Sequence, residues 1–156
     1  MPLELLAPAG NMEKLEVALA YGADAVYAGA HGFSLREGAN LEQDNLRSAI
    51  QKVHSCGKKI YIAVNMIAHN RHLAGLGEMI SFLAEEKADA VIISDPGVYS
   101  IARQIAPGLA VHLSTQANTT YWSSALFWQD LGIQRIILAR ELSLAEIQEI
   151  REKVHI

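Results

Sequence analysis

The chain has 156 residues, 51% of them hydrophobic and 19% charged, with a formal net charge of −4. Its one cysteine, Cys56, excludes an intrachain disulfide and an all-cysteine metal site built by a single copy, and the mild negative charge gives no electrostatic footprint for nucleic acid in this segment taken alone. Apolar runs such as Ile60–Val64 fall far short of the roughly 18–20 residues of a bilayer crossing, and Met1-Pro2-Leu3-Glu4 lacks the basic start of a secretory signal, so one cytoplasmic domain over residues 1–156, without a membrane partner, is expected.

In chain order, a short apolar run followed by an amphipathic stretch recurs six times. Leu3–Ala7 reads as a strand, Gly10 as a sharp turn and Asn11 as the N-cap of a helix over Met12–Tyr21, in which Leu15, Ala18 and Leu19 share a face. The second strand is Ala25–Ala28 and its helix Asp44–Cys56; the third is Lys59–Val64, with Leu73–Lys87 following. Strands at Ala90–Ile93, Ala110–Leu113 and Arg135–Leu138 precede helices at Val98–Ile105, Ser123–Leu131 and Leu144–Val154. Gly22, Gly57 and Gly132 sit just past helices, where a left-handed residue is usual, and Ser143 with Glu146 forms a capping box. The segment Ala23-Asp24-Ala25-Val26 recurs as Ala88-Asp89-Ala90-Val91, a weak internal repeat.

Alternating β and α elements imply an α/β fold with parallel strands and right-handed crossovers. Both an open doubly wound sheet and part of a (β/α) barrel fit. Six units fall short of the eight of a closed barrel, and the turn Ala7-Pro8-Ala9-Gly10-Asn11 lacks the G-x-G-x-x-G of a dinucleotide site.

In such folds ligands collect at the C-terminal ends of the strands. Among the polar residues there, which include Ser34 and Thr115, those singled out are Arg36 after the second strand, Asn65 and His69 after the third, Asp95 after the fourth, Ser114, Gln116 and Asn118 after the fifth, and Arg140 and Glu141 after the sixth. These are the candidate substrate-binding residues; none is assigned a catalytic role. Asp95 reads first as the N-cap of the helix behind it, and Ser114 and Thr115 also fit as caps. Arg140 either pairs with Glu141 or grips a carboxylate or phosphate, the two readings standing even. Arg36 lies in a long loop and is solvated unless that loop folds over the site. His69 and His72 lack a third metal ligand, His112 reads as a satisfied interior histidine rather than a base, Cys56 lies at the wrong end of a helix for a nucleophile, and no G-x-S-x-G elbow is present. No metal site is expected, and no hydrolytic constellation is complete.

The segments Leu5-Leu6-Ala7-Pro8-Ala9-Gly10-Asn11 and Tyr21-Gly22-Ala23-Asp24-Ala25-Val26-Tyr27 closely resemble the opening of the collagenase-like peptidases, peptidase family U32. The likeness continues through Val64–Asn70, Ser94-Asp95-Pro96-Gly97, His112–Asn118 and Leu138–Ser143. Ser34-Leu35-Arg36 and Phe127-Trp128 look most like the branch that hydroxylates the wobble uridine of transfer RNA using prephenate. The resemblance implies a TIM-like barrel, here of about six units and incomplete, as the N-terminal part of a larger enzyme. It also implies an iron–sulfur cluster in longer relatives, on four cysteines downstream of the matched region, with none expected in this chain, which alone should be inactive. Prephenate, as a small anionic substrate, and transfer RNA are the implied partners, and a homodimer through the open barrel edges is expected. A true peptidase, and a non-catalytic binding or assembly module, are the alternatives.

Overall fold

A computed structural model describes residues 3–35 and 40–156. Among them, the strands are β1 (Leu6–Pro8), β2 (Ala25–Ala30), β3 (Asn40–Leu41), β4 (Lys59–Ala63), β5 (Ala90–Ile93), β6 (Val111–Leu113) and β7 (Arg135–Ile136). The helices are α1 (Met12–Ala20), α2 (Gln43–Ser55), α3 (Leu73–Glu85), α4 (Pro96–Ile105), α5 (Trp122–Asp130) and α6 (Leu144–Lys153). All strand pairs are parallel, in the order β1-β2-β4-β5-β6-β7. Strands added always on the same side build a barrel wall, whereas a doubly wound sheet reverses at a switch point. The order therefore decides between the two architectures.

The sheet is curled. Laid flat, β1 and β7 would lie five strand spacings apart, about 24 Å. Yet Glu4, just ahead of β1, meets Arg135 of β7 with Oε1 and Nη1 at 2.6 Å. The fold is six (β/α) units of a TIM-like barrel, incomplete, with the outer edges of β1 and β7 paired to no described strand.

Period-two alternation sorts the strand residues onto two faces. Val26, Ile60, Ile62, Val91, Ile93, Val111 and Leu113 point outward and join Leu15, Leu46, Ile50, Leu76, Ile80 and Leu83 of the helices in the main core. Each such side chain, fully buried, contributes roughly 1.5–3 kcal/mol. Ala25, Tyr61, Ala63, Ala90 and Ile92 point inward, with Leu6, Tyr27, Ala110 and Ile137 packed against them, and fill the barrel axis. That inner packing is the floor on which the site is built.

Two differences from the sequence-based elements matter. Strand β3 is new, and two residues are too short for a period to show. Gly29 of β2 pairs with both Asn40 and Ala63, so β3 continues the β1 side of β2 above the end of β1. Helix α5 starts at Trp122 behind Tyr121, which makes no side-chain cap, so Ser114 and Thr115 are not its caps.

Candidate functional site

A cavity of about 370 Å³ opens at the C-terminal ends of the strands. Its floor is Leu6, Tyr27, Ala63, Ile92 and Ile137, and its polar rim is Ser34, Asn65, Ser114, Thr115, Gln116 and Arg140. An apolar floor with a few converging polar groups is the usual build of a small-molecule site. Gly10 and Gly29 complete the wall. At Gly29 a side chain is excluded by space, since a Cβ there would sit 2.8 Å from the Ser34 hydroxyl and collide with Asn40 Oδ1.

Asn65, Ser114 and Gln116 form one hydrogen-bonded group. Asn65 follows β4 and the other two follow β6, so only β5 separates them in the sheet. The backbone N–H of Leu35 donates to Asn65 Oδ1 at 3.4 Å. Asn65 Nδ2 donates to Ser114 Oγ at 3.3 Å and to Gln116 Oε1 at 3.0 Å, and Ser114 Oγ donates to the same Gln116 oxygen. Ser114 is 4% exposed, so its hydroxyl depends on these partners. A single 3-10 turn over Thr115–Ala117 presents Gln116 at the mouth, and Asn118 ends that turn in the left-handed conformation, φ 52°.

The structure brings Asn65, Ser114, Gln116 and Arg140 to the cavity and leaves four other candidates off its lining. Asp95 caps α4, its Oδ1 accepting from the N–H groups of Gly97 at 2.7 Å and Val98 at 3.0 Å. His69 is exposed, and its backbone N–H donates to His72 Nδ1 at 3.1 Å. Asn118 and Glu141 are exposed. Arg140 makes no ion pair with Glu141 or another described residue, which leaves its guanidinium available at the rim. Arg36 lies outside the described residues. Ser34, Thr115 and Tyr27 join the site without being among the sequence candidates; only Ser34 and Thr115, as polar residues past strand ends, carried a signal.

Deeper in the barrel lies a polar cluster. Arg135 Nη1 donates to Glu4 Oε1 at 2.6 Å and Tyr61 Oη donates to Glu4 Oε2 at 2.8 Å. The Arg135 guanidinium lies 5.2 Å from the Tyr61 ring centre, and His112 packs edge-on against that ring at 4.6 Å. Burial pushes the Glu4 carboxyl up, but hydrogen bonds from Arg135 and Tyr61 outweigh it and hold the carboxyl below its usual range. Burial, then the bond to Glu4, raises the Tyr61 hydroxyl to about 12. The cluster ties the segment ahead of β1 to β4 and β7.

The iron–sulfur cluster that the resemblance implies for longer relatives does not fit the residues of this chain. Cluster ligation takes four thiolates, and the single cysteine, Cys56, is exposed at the C-terminal end of α2, on the rim opposite the cavity. Among the described residues no group of three or more His, Cys, Asp or Glu could hold a metal ion. No described helix is long and apolar enough to cross a membrane.

A sequence profile described as Peptidase family U32 matches residues 10–156. The chain is similar to the tRNA hydroxylation protein P of Escherichia coli (strain K12), 45% identical over 152 residues, covering 97% of this chain and 34% of that protein. It is also similar to the 23S rRNA 5-hydroxycytidine C2501 synthase of the same organism, 34% identical over 150 residues, covering 96% of this chain and 22% of the synthase. The chain thus spans about a third of the length of the first relative and less than a quarter of the second. Among solved structures, the U32 peptidase Mk0906 superposes with a TM-score of 0.81 at 16% identity, covering 100% of this chain and 68% of that one. That likeness establishes the barrel fold.

Proposed function

The chain belongs to peptidase family U32, and from that premise we propose that its barrel mouth forms part of a site for prephenate-dependent hydroxylation of the wobble uridine of cytoplasmic transfer RNA. The observation that carries this reading is the rim itself. Asn65, Ser114, Gln116 and Arg140 converge over an apolar floor in a cavity the size of one small ring compound. Relatives named for hydroxylation of transfer RNA and of ribosomal RNA support the same chemistry on different RNAs. Arg140 grips a carboxylate of the anionic substrate, and the Asn65–Ser114–Gln116 group stands beside it on the rim. The described lining holds no carboxylate, imidazole or thiol, and Tyr27 supplies its one phenol.

The same lining disfavours peptide hydrolysis. Ser114 Oγ donates to an amide oxygen, which cannot act as a general base. The outer edges of β1 and β7 are the surfaces through which a homodimer would form. Calorimetric titration of the complete protein with prephenate tests the reading. Saturable binding is expected, weakened about 10- to 100-fold by Arg140→Ala through loss of a charge-assisted contact worth about 1.5–3 kcal/mol. Equal affinity of the variant and the wild type would overturn the role of Arg140.

A further inference from the structure

The hydrogen bonds at the rim determine which way its amides face. A backbone N–H can only donate, so the bond from Leu35 fixes Asn65 Oδ1 as the acceptor end of that side chain. Asn65 Nδ2 therefore points to Ser114 and Gln116 and spends both its N–H groups there. Gln116 must then turn its oxygen inward, where it accepts from Asn65 and from the Ser114 hydroxyl. Both lone pairs of that oxygen are used. What remains at the mouth is the Gln116 Nε2 amide, with two N–H donors and no partner among the described residues. Its neighbour on the rim, Arg140, also carries donors only.

Together the Gln116 amide and the Arg140 guanidinium, which only donate, select a ligand edge of acceptors. Arg140 supplies the charge that a carboxylate needs, whereas Gln116 is neutral and suits a neutral carbonyl. Resting on the hydroxylase reading above, we propose that Gln116 reads the pyrimidine: its Nε2 donates to the 4-keto oxygen of uracil. Cytosine carries an amino group at that position, so donor would face donor. Rejection of cytosine follows from hydrogen-bond polarity, with no change in the size of the ring. Asn65 and Ser114 are positioning residues for this contact, because they hold the Gln116 oxygen inward.

The test uses the complete protein and anticodon-loop RNAs that carry at the target position either uridine or its analogue lacking O4, pyrimidin-2-one ribonucleoside. Wild type is expected to prefer uridine by about tenfold, the size of one neutral hydrogen bond. Gln116→Glu keeps an acceptor for Asn65 and Ser114 but replaces the outward donors with a carboxylate oxygen. It should lose activity on uridine and erase or invert the preference, which a general loss of folding would not do. A Gln116→Glu protein that retains the wild-type preference, or a wild type with none, overturns the assignment. A wild type inactive on uridine instead refutes the hydroxylase reading itself, and the assignment falls with it.

Discussion

His112 stands in the sheet interior at 7% exposure, and its Nδ1 has no hydrogen-bond partner among the described groups. Burial, then the nearby positive charge of Arg135, pushes its pKa down to about 4, with Glu4 opposing only in part and Lys59 adding to the fall. In the unfolded chain the same imidazole titrates at its ordinary value of about 6.5. The folded state is therefore at full advantage above that value. As pH falls, the unfolded chain takes up a proton that the folded one refuses, so stability declines from about pH 6.5 down to about pH 4, by about 3 kcal/mol in all. His112→Phe keeps an aromatic edge against Tyr61 and removes the titration. Urea denaturation at pH 7.5 and pH 4.5 should show a markedly smaller loss for the variant; equal losses would show that His112 is not the group responsible. The interior position of His112 was legible from a strand pattern alone, but the expectation of a satisfied imidazole fails at Nδ1. That Gln116 meets Asn65 was not legible, because their contact depends on which strands are neighbours, and a single chain's periodicity leaves the strand order open.

At the level of elements, local chemistry was legible where a single residue type answers a backbone demand. Gly22, Gly57 and Gly132 hold positive φ values of 90°, 67° and 86°, and Ser143 and Glu146 close their capping box. The repeat Ala-Asp-Ala-Val also has a structural meaning. Asp24 accepts from the N–H of Leu5 at 3.0 Å, and Asp89 from the N–H of Ile60 at 2.8 Å. In each case an aspartate at the entry of one strand ties down the strand before it, and the two units are built alike. Helix α3 breaks the pattern, since Lys87 holds the left-handed position, φ 63°, where α1, α2 and α5 use glycine. A lysine gives no turn signal, which is why the sequence-based helix runs on through it. Left-handed backbone costs an L-residue roughly 1–2 kcal/mol, part of which glycine returns through the entropy of the unfolded chain. Lys87→Gly should raise stability by about 1 kcal/mol, read as a higher urea midpoint with unchanged slope; a lower midpoint would mean that the lysine stem packs usefully.

Over the whole molecule, curvature does what no local motif announces. Closing β1 toward β7 gathers the Glu4–Arg135–Tyr61 cluster below, an apolar layer above it, and the donor rim at the top. The six-unit count and the parallel sheet followed from alternating patterns, whereas the curl follows from strand order and inner-face packing. The candidate site lies at the rim, where strand ends distant in sequence share one cavity. The most direct measurement is mass spectrometry of transfer RNA nucleosides from a strain lacking the complete gene, complemented with wild type or Arg140→Ala. Hydroxyuridine and its derivatives should vanish on deletion, return with wild type, and stay low with the variant; an unchanged level in the deletion strain would contradict a hydroxylase site at this barrel mouth.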